Sequence, residues 1–103
     1  MTVRDIRDLV VMADPQARHY DSHKDGSDFT VWMEYKRLGL PGDDKHGDGW
    51  KFEVDRYTKE EFDPIAELIE KTLTDAEGVA FTYMVDYEQD TGYIRHLFDC
   101  EGC

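Results

Sequence analysis

The chain has 103 residues, which is enough for one domain with one modest hydrophobic core. Its 24 acidic and 12 basic side chains give a formal charge of −12, and so acidic a surface repels phosphate backbones and anionic lipids. With 40% apolar residues the chain is too hydrophobic for a disordered acidic tail, so we expect a folded protein that binds neither nucleic acid specifically nor a membrane.

The first predicted element is a short helix over residues 3 to 13. Thr2 is a suitable N-cap, and Asp14 is biased out of helical geometry because a proline follows it. The apolar positions between them recur at helical spacing: Val3, Ile6, Leu9 and Val10. Residues 17 to 20 are predicted to form a brief strand, and residues 21 to 28 have the composition of a flexible loop.

Two strong strands come next and are predicted to pair as a long antiparallel hairpin. Residues 29 to 38 and 50 to 55 alternate between apolar and polar side chains, which is the pattern of half-buried strands. In the first strand Trp32 alternates with the apolar set, so we expect it on the wetter face. The connection, residues 39 to 49, is rich in glycine and aspartate and is expected to be a flexible polar loop.

A second helix and a second hairpin complete the predicted domain. Asp63 is the expected N-cap, a proline takes the first helical position, and the helix is predicted to end near Gly78. Its apolar stripe contains four residues: Ile65, Leu68, Ile69 and Leu73. Residues 79 to 87 alternate as a strand, residues 93 to 98 return as its partner, and residues 99 to 103 are expected to fray.

This order of elements lacks the repeated strand–helix–strand crossovers that build a parallel sheet. It predicts an α+β fold in which a mainly antiparallel sheet of four to five strands carries two helices on one face. The predicted order along the chain is α-β-β-β-α-β-β, in a single domain over residues 1 to 103.

The N-terminal segment argues against secretion, and the hydropathy argues against a membrane anchor. No apolar run approaches the roughly 20 residues that span a bilayer. Residues 1 to 15 carry Arg4, Asp5, Arg7 and Asp8, where a signal peptide needs an apolar stretch. We therefore expect a cytosolic protein.

The candidate metal motifs are all incomplete. Cys100 and Cys103 have the spacing of half a zinc knuckle, but the sequence contains no second cysteine pair. The four histidines are scattered, and no two have the spacing of ligands on one helix. No phosphate loop, dinucleotide fingerprint or nucleophile motif is present, so we assign no catalytic residue, metal or cofactor and expect no enzyme activity.

The segment from Asp44 to Asp55 imitates parts of a calcium-binding loop. Asp44, Asp48 and Gly49 match positions one, five and six of such a loop. His46 occupies the third position, where calcium needs an oxygen ligand, and Asp55 replaces the bidentate glutamate of the twelfth. Because Asp55 also falls in a predicted strand, we do not assign a calcium site.

The aromatic content is a stronger indication of function than any of these motifs. Seven Trp and Tyr residues exceed what so small a core can bury: Trp32, Tyr35, Trp50, Tyr57, Tyr83, Tyr87 and Tyr93. Trp and Tyr are enriched at protein interfaces, so self-association is one interpretation. The alternative is that the rings line two faces of a twisted sheet with their polar ends in water.

Three segments resemble a known protein family. Residues 43 to 55 contain an aspartate pair before a strand that ends in Asp, a helix starts at Asp63-Pro64, and residues 86 to 96 contain an acidic turn. Together they resemble small tail proteins of long-tailed bacteriophages and prophages, and most closely the tail terminator, or tail-to-head joining, family. The resemblance covers about residues 43 to 98 and extends to chain size and element order.

The resemblance implies a structural role in virion assembly, in the cytoplasm of a bacterial host and then in the virion tail. The subunits would form a hexameric ring that caps the tail tube and contacts the head connector. The charge of −12 per chain separately suggests an acidic lumen along which DNA slides. Within this interpretation, residues 42 to 49 are a projecting contact arm. The candidate interaction residues are those of the arm, Asp43, Asp44, His46 and Asp48, and four aromatics, Trp32, Trp50, Tyr87 and Tyr93.

Two other classes of function remain open from the sequence. One is a regulatory or inhibitor module whose acidic surface binds a basic protein. The other is a small metal-dependent enzyme that uses Asp44, His46 and neighbouring carboxylates.

Overall fold

The computed structural model describes residues 1 to 39 and 49 to 103. The described elements are α1 (Val3–Ala13), β1 (Arg18–His19), β2 (Phe29–Leu38), β3 (Gly49–Thr58), α2 (Pro64–Asp75), β4 (Val79–Tyr87) and β5 (Ile94–Gly102). The strands form one sheet in the order β1-β2-β3-β5-β4. Among the described strands, the β1–β2 pair is the only parallel one. The predicted α+β class and its order of elements are confirmed.

Both helices begin where side chains can satisfy the free amides of their first turns. The Thr2 hydroxyl accepts a hydrogen bond from the Asp5 amide at 3.1 Å, and the Asp5 carboxylate accepts one from the Thr2 amide at 2.8 Å. At α2, the Asp63 carboxylate accepts from the amides of Ile65 and Ala66, at 3.3 and 3.1 Å. Each such cap is worth about 1 kcal/mol, and both lie where the sequence predicts them.

The main hydrophobic core lies between the two helices and one face of the sheet. Trp32, Val54 and Phe98 are in register on β2, β3 and β5, so their side chains share this face. The helices cover them with five buried residues of this core: Ile6, Val10 and Ala13 of α1, and Ile69 and Leu73 of α2. The prediction of two helices on one face is therefore confirmed.

A smaller aromatic cluster lies on the opposite face and is covered by the loop of residues 21 to 28. The cluster contains Phe29, Val31, Tyr57 and Tyr93. The Tyr93 hydroxyl accepts a hydrogen bond from the Gly26 amide at 3.0 Å and donates one to the Ser27 carbonyl at 2.7 Å. As a result, the first half of β2 is buried on both faces.

This double coverage overturns the expectation that Trp32 lies on the wetter face. Trp32 is only 3% exposed. The His19 ring of β1 stacks on the indole with a centroid distance of 3.7 Å, and the helices cover the rest. A single strand that alternates in sequence does not reveal that the preceding segment folds back along its edge.

The expectation of a frayed segment at residues 99 to 103 is also wrong. β5 lies between β3 and β4, so its backbone is paired on both sides as far as Gly102. The Cys103 amide then donates a hydrogen bond to the Gly78 carbonyl at 3.0 Å. A central strand has no free edge from which to fray.

Candidate interaction surface

The structure separates the candidate interaction residues that the sequence suggests. Trp32 and Tyr93 are 3% and 2% exposed, so both rings belong to the interior of the chain and neither is offered to a partner. Trp50 is half-buried, and the Arg37 guanidinium lies 5.1 Å from its ring centroid. Tyr87 is 58% exposed and lies at the end of β4.

The predicted contact arm lies outside the described residues, apart from Gly49, which begins β3. The same holds for its four candidate contact residues, Asp43, Asp44, His46 and Asp48.

The most distinctive surface feature of the described chain is the outer edge of β4. This strand has nine residues and ends the sheet, with β5 on one side and no described strand on the other. The Glu88 amide donates to the Tyr93 carbonyl and the Cys103 amide to the Gly78 carbonyl, which fixes the even-numbered positions of β4 as those bonded to β5. Hydrogen-bonded positions alternate in an antiparallel pair. The odd-numbered positions from Val79 to Tyr87 therefore direct their N–H and C=O groups outward.

The side chains along this edge are mainly uncharged, and several are exposed. Met84, Val85 and Tyr87 are 61%, 59% and 58% exposed. The strand contains no proline, glycine or lysine, and Asp86 is its only charged residue. Natural edge strands usually carry such interruptions because an open edge is a template for another strand. β4 is thus an unprotected edge.

The opposite side of the sheet is protected. β1 pairs with Val31 and Trp32, and the Tyr20 amide donates to the Trp32 carbonyl at 2.9 Å. Beyond that point a bulge between Glu34 and Lys36 breaks the regular register of β2 with β3. The following residues include exposed Lys36 and Arg37. Bulges and basic residues are two recognised ways of blocking strand addition.

A buried arginine joins the helical layer to the sheet. The Arg56 side chain is 9% exposed, and its Nε donates to Asp63 Oδ2 at 2.7 Å. The carboxylates of Asp14 and Asp28 lie 3.8 and 3.9 Å from its terminal nitrogens. These carboxylates come from the end of α1, the loop before β2 and the cap of α2. Since all three carboxylates lie around Arg56, the cluster is explained as a structural ion network.

The helix-free face carries a second ion network, centred on Arg95 of β5. Arg95 donates to Asp55 at 2.7 Å and to Glu53 at 3.3 Å. Burial raises the pKa of Glu53, the neighbouring Asp55 raises it further, and the Arg95 charge opposes the shift. Burial also raises the pKa of Asp55, against the Arg95 hydrogen bond, and Asp55 Oδ1 is buried without a hydrogen-bond partner. Asp55 thus pairs with the Arg95 guanidinium on this face.

One histidine is buried next to the edge strand. The Tyr83 hydroxyl lies 2.6 Å from His96 Nδ1, while His96 Nε2 is buried without a hydrogen-bond partner. Burial lowers the pKa of His96, an effect that the Asp63 carboxylate opposes and Arg56 reinforces. This environment favours a neutral imidazole.

Within the described residues, no three His, Cys, Asp or Glu side chains are grouped so that they could hold a metal ion. Cys100 is 2% exposed and contributes to the core, whereas Cys103 is exposed. Burial, the largest effect, raises the pKa of the Cys100 thiol to about 12. The two cysteines therefore lie in opposite environments. Neither described helix is long and apolar enough to span a bilayer.

The comparisons with known proteins assign the chain to no family. No protein-family model matches it, and no curated protein is similar to it at a significant level.

Proposed function

We propose that this chain is a non-catalytic structural subunit that acts by self-association. The observation that supports the proposal is the open edge of β4, which combines nine residues of regular strand with exposed Met84, Val85 and Tyr87. An edge of this kind gains both backbone hydrogen bonds and apolar burial when another strand joins it.

The specific role that we propose is that of a tail terminator, in a hexameric ring at the head-proximal end of a phage or prophage tail. The support for this role is the sequence resemblance of residues 43 to 98. A closed ring uses one modest contact repeatedly, which suits a subunit of this size. The charge of −12 per chain suits a lumen along which DNA slides without binding.

The mass of the purified chain in solution tests self-association, and electron microscopy tests the ring. We expect a mass that rises with protein concentration, six-membered rings, and attachment of these rings to one end of isolated tail tubes. A chain that stays monomeric at every concentration, with or without tail tubes, would refute the proposal.

The same measurements distinguish the two other classes of function. An acidic module that captures a basic protein would form a heteromeric complex that weakens steeply as salt is added, without self-assembly. A metal-dependent enzyme would contain stoichiometric metal by elemental analysis. Flanking genes for head, tail-tube or tape-measure proteins would favour the tail role, and a housekeeping neighbourhood would count against it.

A further inference from the structure

We propose that two copies of this chain pair through their β4 strands, antiparallel and centred on Tyr83, so that two sheets of five strands become one sheet of ten. The inference rests on the self-association part of the proposed function but not on the tail role. A ring of six built from three such pairs needs a second kind of contact between the pairs.

The backbone of β4 pairs along its whole length with a second copy of itself in only one register. The outward-facing positions are five: Val79, Phe81, Tyr83, Val85 and Tyr87. When Tyr83 lies opposite Tyr83 of the second copy, each of these positions faces another outward-facing position. Since every such residue offers one N–H and one C=O, the register forms about ten hydrogen bonds.

The side chains agree with this register on the face shared with the helices. Val85 lies opposite Phe81 of the second copy, and Tyr87 lies opposite Val79. Val85 and Tyr87 are the exposed members of each pair, at 59% and 58%, whereas Phe81 and Val79 already pack against the core. Pairing therefore extends the existing core and buries Val85 and Tyr87, which are exposed in a single copy.

The helix-free face also fits, because it places no like charges opposite each other. Met84 lies opposite Thr82 of the second copy, and Asp86, the only charge on the strand, lies opposite Ala80. Like charges directly opposite would destabilise a strand pair.

Other registers of β4 against itself are less favourable. Each shift of the centre by one residue, to Met84 or Thr82, removes one of the five outward-facing pairs, and a centre on Asp86 brings Asp86 opposite Asp86 of the second copy. A centre on Thr82 places Tyr87 opposite a residue before the second β4, and a centre on Phe81 does the same to Val85. The bulge and the basic residues on β2 argue against pairing of β4 with that edge. Self-complementarity therefore identifies the occupant of the edge as a second copy of β4.

Charge opposes this pairing, so salt should strengthen it. Each copy carries −12. Burial raises the pKa of Tyr83, and the carboxylates of Glu70, Asp63 and Glu67 raise it further, so acidic groups lie near the proposed two-fold axis. Raising the salt concentration from 0.1 to 1 M shortens the screening length from about 10 to 3 Å. The dimer dissociation constant should therefore fall as salt is added, opposite to binding of a basic partner.

The first experiment adds a lysine to the open edge. Val85→Lys places a charged side chain opposite Phe81 twice per dimer, so we expect the dimer dissociation constant to rise about tenfold or more. Met12→Lys is the matched control, because Met12 is 72% exposed on α1 and the charge change is identical. Both variants lower the net repulsion between copies, so selective loss of the dimer in Val85→Lys cannot be a net-charge effect.

The second experiment reads the register with disulfides, in chains that also carry Cys103→Ser to remove the exposed thiol. Thr82→Cys in one chain lies directly opposite Met84→Cys in another. Identical positions, 82 with 82 or 84 with 84, are diagonal neighbours about 7–8 Å apart, beyond the usual disulfide range. We expect cross-linked dimers in an oxidised mixture of the two variants, and none in either variant alone.

Each outcome has one meaning. Loss of the dimer in Val85→Lys but not Met12→Lys, together with cross-links in the mixture alone, would support the inference. A larger assembly that is unchanged by Val85→Lys would overturn it and leave the proposed function standing. A monomer under every salt and concentration condition would overturn both.

Discussion

The sharpest stability prediction concerns Asp63, which performs two tasks at one position. Its carboxylate caps α2 through two backbone amides and also accepts the Arg56 hydrogen bond at 2.7 Å. The Asp63 side chain is 2% exposed and that of Arg56 is 9% exposed. Asp63→Ala removes both interactions and leaves the buried guanidinium without its nearest partner.

The expected loss can be estimated from these two parts. Removing a helix cap costs about 1 kcal/mol. Removing one member of a buried ion pair costs about 3–5 kcal/mol. We take the lower end, because Asp14 and Asp28 remain 3.8 and 3.9 Å from Arg56. The free energy of unfolding should therefore fall by about 4 kcal/mol, a large share of the roughly 5–15 kcal/mol typical of a domain.

Urea unfolding followed by circular dichroism measures this change at one fixed protein concentration. Asp63→Asn keeps an oxygen for the cap and a neutral acceptor for Arg56, so it should lose less than half as much. Asp75→Ala is the surface control: its carboxylate is 63% exposed, pairs with Lys71, and should cost under about 1 kcal/mol. An Asp63→Ala chain within 1 kcal/mol of the parent, with an unchanged dependence on urea, would refute the reasoning.

Three further predictions concern titratable side chains. A thiol reagent at neutral pH should label the native chain once, at exposed Cys103, and should label Cys100 only after denaturation. Fast labelling of both cysteines in the native chain would contradict the burial that raises the pKa of Cys100 to about 12. Because the pKa of His96 is lowered in the folded state, the unfolded chain binds a proton at this group at a higher pH than the folded chain does. The free energy of unfolding should therefore fall as pH drops below the ordinary histidine pKa of 6.5, by at most about 1.4 kcal/mol per pH unit. His96→Gln should remove that slope in urea unfolding measured from pH 7 to pH 5; an unchanged difference between parent and variant across this range would count against it. Because the pKa of Glu53 is raised in the folded chain, its charged form destabilises the fold at pH 7, and this cost disappears as pH falls to the ordinary pKa of 4.5. Glu53→Gln should therefore stabilise the chain by less than about 1 kcal/mol at pH 7 and have no effect below pH 4.5. A variant that is less stable than the parent at pH 7 would show that the Arg95 ion pair outweighs the burial cost.

The elements that sequence predicts well are those whose signals are local. Thr2 and Asp63 cap their helices through residues two to three positions away, and alternation over residues 79 to 87 specifies β4 directly. The sequence also suggests the antiparallel hairpin of β2 and β3, since two strong strands flank one polar connection.

The features that it misses depend on contacts between distant segments. Trp32 is buried because both helices and His19 pack against it, and Tyr93 because the loop of residues 21 to 28 crosses the sheet. Likewise, the open edge of β4 follows from the insertion of β5 between β3 and β4, which alternation cannot reveal. Residue type alone suggests Tyr87 as an interaction residue, whereas nothing in the sequence indicates that Met84 and Val85 are exposed.

The position of Arg56 has a consequence for the order of folding. The Arg56 guanidinium can be buried only when the end of α1, the loop before β2 and the start of α2 have packed around it. Each of these segments supplies one of its carboxylate partners. We therefore expect this guanidinium to stay hydrated in partly folded chains and its network to form late in folding. Interactions that form late in folding mainly slow the unfolding rate. Substitution of Arg56 should therefore speed unfolding more than it slows folding.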